Sequence, residues 1–143
     1  MLLKVVREQQ PDHLAVVFDS KGPTFRHELY PAYKANREPA PPDLEHQFAL
    51  CREVTGLLGV PQFASAEYEA DDLIGALAAR MRGHGMASVL VTRDKDLAQL
   101  VHADDHFWDY AGDVRLGYAD IEGHFGARPE CIADFLALVE TPA

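Results

Sequence analysis

Apolar residues recur along the chain with two different spacings, and together they predict strands that alternate with helices. Two short runs, 13–19 and 87–92, are apolar and rich in β-branched residues, which is typical of strands in a parallel sheet. Elsewhere apolar residues return every three or four positions, which predicts amphipathic helices. Helices are expected at 2–9, 43–60, 67–81, 93–101, 118–126 and 129–139, with a weak strand at 62–66 and a hairpin or edge strands at 106–110 and 113–117.

The alternation of strands and helices predicts an α/β fold with a mostly parallel sheet flanked by helices. At 143 residues the chain has the length of one domain. In open parallel sheets, ligands bind outside the carboxyl ends of the strands. Residues that directly follow a predicted strand are therefore the first candidates for a functional site.

Carboxylates follow three of the predicted strands. Asp19 ends the strand at 13–19, and three acidic residues begin the helix after the weak strand at 62–66. A further pair comes directly after the strand at 87–92. The acidic residues after these two strands are Glu69, Asp71, Asp72, Asp94 and Asp96. Any one group alone is typical of a turn or of a helix first turn, where acidic side chains favour the positive end of the macrodipole.

Together the three groups are expected at one edge of one parallel sheet. Six carboxylates in one place would repel each other strongly, and their natural counterions are hard divalent cations such as Mg²⁺ or Mn²⁺. Two such ions about 4 Å apart suit phosphoryl chemistry, because one activates a water molecule and the other stabilises the leaving oxygen. The sequence therefore predicts a carboxylate metal site.

The segment 22–42 is rich in proline, aromatic and basic residues and lacks a regular period, which predicts an irregular stretch with one short helix. Its cations and aromatic rings are interleaved: Phe25, Arg26, Tyr30, Tyr33, Lys34 and Arg37. Cations contact phosphates and aromatic faces stack on unpaired bases, so the segment is a candidate guide for a nucleic-acid strand. Read alone, it is more typical of a solvated loop, and its place beside a predicted carboxylate metal site is what favours the guide.

The formal net charge of −10 is unfavourable for nucleic-acid binding, but it is unevenly distributed. Residues 1–60 hold seven Lys and Arg against eight Asp and Glu, whereas residues 61–143 hold six against fifteen. The excess acid is thus local, as expected for a site that binds cations. Cys51 and Cys131 lack metal-type spacing and lie in apolar helical patterns, which predicts reduced core residues of a cytoplasmic protein. No stretch approaches the ~20 apolar residues that span a bilayer, so no membrane association is expected.

Three stretches resemble one known family: VVFDSKGPTFRHELYPAYKANR, EYEADDLIGALA and VTRDKDLAQLV. They are similar, in order and spacing, to the 5′-nuclease (flap endonuclease) family, and specifically to the 5′–3′ exonuclease domain of bacterial DNA polymerase I. The resemblance covers nearly the whole chain. It implies a PIN-like α/β fold, two groups of acidic metal ligands binding Mg²⁺ or Mn²⁺, and cleavage of DNA at 5′ ends or 5′ flaps.

The resemblance also implies a role for each matching residue. Lys34 and Arg37 match basic residues of the family's helical arch, which position the scissile phosphate, so residues 22–42 would form an arch-like segment. Tyr33 matches an aromatic position of the arch, and Arg26 a phosphate-contact position. The tighter metal site would be served by Asp19, Glu69, Asp71 and Asp72, and extended by Asp94 and Asp96. A polymerase domain would be a further partner in the native gene.

The chain also departs from the family pattern. It begins in what matches the family's second helix, without the preceding strand and its metal-binding Asp. Glu140 and Thr141 stand where the family has Gly and Asp, and Arg93 replaces a usual Gly. We therefore expect residues 1–143 to be a partial, incomplete exonuclease domain, marginally stable and with weak or no activity alone.

Two alternatives remain open. The chain could be a degenerate, non-catalytic DNA-binding remnant of the same family. It could also be a Mg²⁺-dependent phosphatase or a topoisomerase–primase-type domain, since Asp94 and Asp96 form a D-x-D pattern after a strand. This last class explains neither the basic run at 33–37 nor the acidic group at 69–72.

Overall fold

The computed structural model describes residues 1–139, and the expected departures at Glu140 and Thr141 lie outside the described residues. The helices are α1 Leu2–Gln9, α2 Phe25–Leu29, α3 Pro42–Leu57, α4 Ala70–Gly83, α5 Tyr118–Phe125 and α6 Ile132–Val139, with 3₁₀ helices at Lys95–Leu100 and Pro129–Cys131. The strands are β1 Val16–Val17, β2 Gln62–Phe63, β3 Val89–Val91, β4 His106–Asp109 and β5 Val114–Gly117. Every element that the apolar pattern predicts is present, although most are shorter than predicted.

The chain folds as two compact units, which divide after Leu73 within α4. In the first unit, β1 and β2 pair in parallel, with Val16 opposite Gln62 and Val17 opposite Phe63. Asp19 follows β1, as predicted. The segment 22–42 contains the one short helix expected, α2, followed by turns at residues 31–36.

Helix α3 forms where the apolar period predicts it, but its apolar residues are not covered by the described residues. Phe48 and Val54 are exposed, and Thr55 is the residue of this helix that is buried. The prediction that both cysteines are core residues is wrong for Cys51, which is exposed because it shares this uncovered face, whereas Cys131 is half-buried. Both cysteines are free thiols.

The second unit holds most of the hydrophobic core. The strand β3 pairs in parallel with β4, and β4 pairs with β5 as an antiparallel hairpin, as the sequence predicts. Leu90 and Phe107 point into a cluster that also contains Ala98, Val101 and Ile121. Ala98 and Ile121 are completely inaccessible to solvent. The 3₁₀ helix Lys95–Leu100, which starts just after β3, is therefore anchored by its apolar side.

The prediction of one sheet is wrong. The strands within residues 1–139 form a two-stranded sheet of β1 and β2 and a separate three-stranded sheet in the order β3–β4–β5. No strand in this part of the chain bonds to both β1 and β3, so Asp19 and Asp94 follow strands of different sheets. The predominance of parallel pairing is nevertheless as predicted. No helix within the described residues is both long enough and apolar enough to span a membrane.

Candidate metal and nucleic-acid site

The N-terminal end of α4 is capped by two of the predicted metal ligands. The first amides of a helix have no partner within it and must find one elsewhere. The Ala70 amide donates to Asp19 Oδ1 at 2.7 Å, and the Glu69 amide donates to Asp72 Oδ2 at 3.0 Å. The structure thus brings Asp19 to the head of α4, where its carboxylate accepts a bond from the Ala70 amide, between Glu69 and Asp71 in sequence. Asp71, in the same first turn, is half-buried.

The Arg26 side chain reaches from α2 to the same acidic group. Its Nη1 and Nη2 atoms donate to Asp72 Oδ2 and Oδ1 at 2.6 and 2.8 Å, a bidentate pair. The Nη1 atom also lies 3.7 Å from Glu69 Oε2. Bidentate pairs of this kind are the strong class of charge-assisted hydrogen bonds. Arg26 and Asp72 are 46 residues apart in sequence, and their contact ties the arch-like segment to α4.

Tyr33 and Lys34 contact Glu69. The Lys34 Nζ atom donates to Glu69 Oε1 at 2.8 Å, and the Tyr33 hydroxyl donates to Glu69 Oε2 at 3.2 Å. Lys34 also lies over the Tyr33 ring, 4.9 Å from its centroid. Its backbone φ of 55° is in the left-handed region, which residues other than glycine rarely adopt. The turn at residues 31–36 therefore holds Lys34 in a backbone conformation that costs free energy.

Aromatic and backbone contacts hold the arch-like segment against the loop before α4. The Phe25 amide donates to the Glu67 carbonyl at 3.0 Å, and the Phe25 and Tyr68 rings lie 5.4 Å apart. The His27 ring contacts Tyr33 edge to face at 5.3 Å. These contacts give the cations of the segment a defined position.

The ion pairs shift the pKa values of their members in opposite directions. Hydrogen bonds from Arg26, against the opposing effect of burial, lower the pKa of Asp72 below its usual value. Burial would raise the pKa of Glu69, but the bonds from Lys34 and Tyr33 outweigh it and lower that pKa. The pKa of Lys34 is raised by Glu69 and Tyr33 in spite of its burial. Both carboxylates are thus ionised at neutral pH and neutralised by cations of this chain.

Arg37 differs from the other predicted arch residues. Its side chain is exposed, and within the part of the chain that the structure describes the guanidinium makes no hydrogen bond or ion pair. Its backbone amide donates to the Lys34 carbonyl at 3.1 Å. The side chain therefore presents a positive charge to solvent, a few residues from Lys34.

In the second unit, Asp94 and Asp96 lie at the start of the 3₁₀ helix that follows β3. Asp94 is exposed and its Oδ1 atom accepts a hydrogen bond from the Asp96 amide at 3.0 Å, which caps that helix. Asp96 is half-buried. Arg93, which replaces the family's glycine, is exposed and its Nε lies 3.7 Å from Asp109 Oδ1.

The carboxylates have the donor chemistry that Mg²⁺ and Mn²⁺ prefer, which is oxygen alone. Within residues 1–139, however, no group of three or more His, Cys, Asp and Glu side chains is arranged so that it could hold a metal ion. Glu69 and Asp72 face the cations Lys34 and Arg26 instead.

Sequence reasoning missed a buried ion pair in the second unit. Asp105 is 2% exposed and accepts hydrogen bonds from Arg82 Nη2 at 2.6 Å, from the Ser88 amide at 2.7 Å and from the His102 amide at 3.1 Å. In the sequence it looks like a polar turn residue, and no local signal identifies its distant partner. The role of Arg26 as the partner of Asp72 was missed as well. The three-residue spacing of Glu69 and Asp72 could have indicated the capping bond between them, but no local signal indicates Arg26 as the partner of Asp72.

Comparison with known proteins gives one consistent result. A family model described as the 5′–3′ exonuclease, N-terminal resolvase-like domain, matches residues 1–126. The chain is 39% identical, over 145 residues, to DNA polymerase I of Rhizobium leguminosarum, and the match covers 96% of this chain but only 14% of that protein. The chain thus spans a small part of the length of this relative.

Two solved structures share the fold. The bacteriophage T5 D15 protein, co-crystallized with metal ions, superposes with a TM-score of 0.80 at 18% identity, covering 98% of this chain and 57% of that one. The T5 D15 flap endonuclease, in a pseudo-enzyme–product complex with DNA and metal ions, gives 0.77 at 18% identity, with 97% and 55% covered. The PIN-like α/β fold predicted from the sequence is thereby confirmed.

Proposed function

The chain belongs to the family of 5′–3′ exonuclease N-terminal, resolvase-like domains, and from this premise we propose that it is a divalent-metal-dependent nuclease domain. Its substrate is DNA with 5′ ends or 5′ flaps, and its reaction is hydrolysis of a phosphodiester bond. In this proposal residues 1–143 form a single partial domain, and a polymerase domain accompanies it in the native gene, as the names of its relatives suggest.

The observation that carries the proposal is the contact between the arch-like segment and the acidic group. Lys34 and Arg26 lie directly on Glu69 and Asp72, at 2.8 and 2.6 Å. A phosphate diester that approaches this place meets cations and carboxylates within one contact distance of each other. That combination suits a reaction in which the phosphate is held by cations while metal ions bind beside it.

Two groups of residues are proposed as metal ligands. Asp19, Glu69, Asp71 and Asp72 form the first group, and Asp94 and Asp96 form the second. Bound Mg²⁺ or Mn²⁺ would supply an activated water and stabilise the charge on the leaving oxygen. Lys34 would bind the scissile phosphate once a metal ion competes for Glu69, and Arg37, already exposed, would bind a neighbouring phosphate. Tyr33 would stack on a base, and Arg26 is the fourth proposed DNA contact.

A 5′-flap cleavage assay with Mn²⁺ tests the proposal. Asp94→Ala should reduce the cleavage rate by at least about a hundredfold if Asp94 is a metal ligand, because the remaining carboxylates cannot replace a lost charge at the metal. Asp104→Ala is the matched control, since Asp104 is an exposed aspartate of the same unit. Cleavage that is unaffected by Asp94→Ala would reject the proposed site. Because the sequence leads us to expect weak activity from this chain alone, Mn²⁺ binding is measured in parallel.

The alternative of a non-catalytic DNA-binding remnant makes a different prediction. It requires DNA binding without cleavage and without Mn²⁺ binding. Under both readings Lys34→Ala and Arg37→Ala should each reduce the slope of log affinity against log salt by about one, because each removes one phosphate contact. Arg7→Ala, which removes an exposed cation of α1, is the control. An unchanged slope in the two arch variants would contradict phosphate contact in either reading.

A further inference from the structure

We infer that Glu69 restrains DNA binding in the metal-free chain, because its carboxylate occupies Lys34 in place of a DNA phosphate. Lys34 then binds a phosphate only after its ammonium has left Glu69. The inference rests on the proposed function, since it states how DNA binding by the arch-like segment is regulated.

The ammonium of Lys34 is already engaged within the chain. Its Nζ atom donates to Glu69 Oε1 at 2.8 Å and lies 4.9 Å from the centroid of the Tyr33 ring. The Tyr33 hydroxyl donates to the other oxygen of Glu69 at 3.2 Å. A carboxylate and a phosphate both offer anionic oxygens to a lysine. A DNA phosphate that reaches Lys34 therefore competes with Glu69 for the same ammonium.

The contact between Lys34 and Glu69 is shielded from water more than a surface ion pair is. Their side chains are 30% and 11% exposed. Lys21 and Glu45, at a similar distance of 3.0 Å, have side chains that are 80% and 47% exposed. Exposed pairs contribute little to stability, whereas the attraction between charges increases as water is excluded. The Lys34–Glu69 contact is therefore the more persistent of the two.

The backbone of Lys34 makes the contact reversible. Its φ of 55° lies in the left-handed region, which costs free energy for a residue other than glycine. The bonds that Lys34 and Tyr33 make to Glu69 offset this cost in the free chain. When a phosphate replaces Glu69, the turn at residues 31–36 is free to relax, so the strain favours release.

Arg37 provides an internal comparison. Within the described residues its exposed guanidinium makes no hydrogen bond or ion pair, so it meets a phosphate without first leaving a partner. Lys34 and Arg37 carry the same charge, and they differ in whether a carboxylate occupies them. Restraint by Glu69 should therefore act on the contribution of Lys34 to DNA binding and not on that of Arg37.

Binding of a fluorescent 5′-flap DNA, measured by anisotropy in EDTA, tests the inference. Glu69→Gln should tighten binding by about fivefold or more, because it removes the competing charge and keeps the size of the side chain. Glu67→Gln is the matched control, since Glu67 is an exposed glutamate of the same loop before α4. It should change the affinity by less than about twofold, because exposed charges are screened by salt.

Two double variants identify the cation that Glu69 restrains. In an Arg37→Ala background, Glu69→Gln should still tighten binding by about fivefold, because the two sites act independently. In a Lys34→Ala background, which has lost the same charge, Glu69→Gln should have no more effect than Glu67→Gln, because no ammonium is left to release.

Two results would overturn the inference alone. The first is an effect of Glu69→Gln no larger than that of Glu67→Gln. The second is a gain that persists without Lys34, since it would reflect a general loss of repulsion between the chain and DNA. If no variant binds the flap, the proposed function fails and the inference fails with it.

Tryptic cleavage of the free chain measures the contact without DNA. Trypsin cuts after a lysine whose side chain enters its specificity pocket, so a Lys34 held by Glu69 is cut slowly. Glu69→Gln should raise the rate of cleavage after Lys34, relative to the exposed Lys21, by about fivefold, as expected when a charge-assisted hydrogen bond is lost. Glu67→Gln should leave this ratio unchanged. An equal ratio in Glu69→Gln and the unchanged chain would show that Glu69 does not hold Lys34, which would also overturn the inference.

Discussion

In the described part of each unit, one arginine lies 2.6 Å from an aspartate oxygen, and the two pairs differ most in how deeply the aspartate is buried. In both, an arginine Nη atom lies 2.6 Å from a carboxylate oxygen, and the arginine side chains are equally exposed, at 31% for Arg26 and 32% for Arg82. Both aspartates also accept backbone amide hydrogen bonds. The aspartates differ in burial, because the Asp72 side chain is 26% exposed and that of Asp105 is 3% exposed.

This difference separates a structural pair from one that can take part in binding. Asp105 joins the end of α4, the approach to β3 and the turn after the 3₁₀ helix through Arg82, Ser88 and His102. If Asp105 took another partner, Arg82 and the Ser88 and His102 amides would lose their acceptor. Asp72 lies beside Glu69, where solvent and ligands have access. Equal distances therefore do not imply equal roles, and burial of the anion is the property that distinguishes them.

The largest expected effect is the loss of Asp105. Asp105→Ala should lower the free energy of unfolding by about 3–5 kcal/mol, because it leaves Arg82 and two amides without their buried partner. Urea unfolding followed by the fluorescence of Trp108, the single tryptophan and a buried residue of the same unit, measures the effect.

The neighbouring exposed residue Asp104 provides the control, and Asp104→Ala should change the free energy of unfolding by less than about 0.5 kcal/mol. An effect of Asp105→Ala as small as that of the control would remove the distinction between the two arginine–aspartate pairs.

The next effect in size is the acid sensitivity that Asp105 gives to its unit. Burial opposes ionisation, but the bonds from Arg82 and the two amides outweigh it and hold the pKa of Asp105 below its usual value of 3.8. A lowered pKa means that the ionised carboxylate stabilises the fold above pH 3.8 and that this contribution is lost as the pH falls through the lower, folded-state value. The unchanged chain should thus lose more stability below pH 3.8 than Asp105→Asn, which has no carboxylate to protonate.

Acid titrations of the two proteins, followed by Trp108 fluorescence, measure the difference. If the two proteins unfolded at the same pH, the ionised form of Asp105 would not be what stabilises the second unit. Asp104→Asn, the exposed control, should leave the transition in place.

The sequence predicted the elements of the fold better than their connections. The apolar run at 87–92 predicted β3, because short β-branched apolar runs are typical of strands, although only Leu90 of this strand is buried and Val89 and Val91 are exposed. The run at 13–19 pairs over only two residues, since the length of a strand depends on its partner, and β2 is itself two residues long. A periodic pattern likewise predicted α3 but could not show that the described residues leave its apolar side chains exposed. Pairing and covering are properties of distant residues, which a local pattern does not contain.

The candidate site shows the same division. Spacing after strands was enough to select Asp19 and the acidic group at the head of α4, where Asp19 accepts a bond from the Ala70 amide. It was not enough to show that Arg26, 46 residues before Asp72, would occupy both oxygens of that aspartate. The residue type predicts which ligands a side chain can bind. Its partners in the folded chain decide how many of its hydrogen-bonding atoms are already occupied.

The smallest expected effect on stability is the loss of Asp72, which is the more exposed aspartate of the two pairs. Asp72→Ala should lower the free energy of unfolding by about 1 kcal/mol, because a partly exposed ion pair and one helix-capping bond are lost. Hydrogen exchange should become faster at the Glu69 amide, which donates to Asp72 Oδ2.

Asp43, an acidic residue in the first turn of α3 whose side chain is exposed, is the matched control, and its loss should cost only a few tenths of a kcal/mol. If Asp72→Ala were as destabilising as Asp105→Ala, Asp72 would be a structural residue of the first unit, and burial would not distinguish the two pairs. If instead the Glu69 amide exchanged at an unchanged rate, the hydrogen bond from that amide to Asp72 would be absent in solution. An effect near 1 kcal/mol with faster exchange at Glu69 alone fits an aspartate whose contribution to stability is confined to the head of α4.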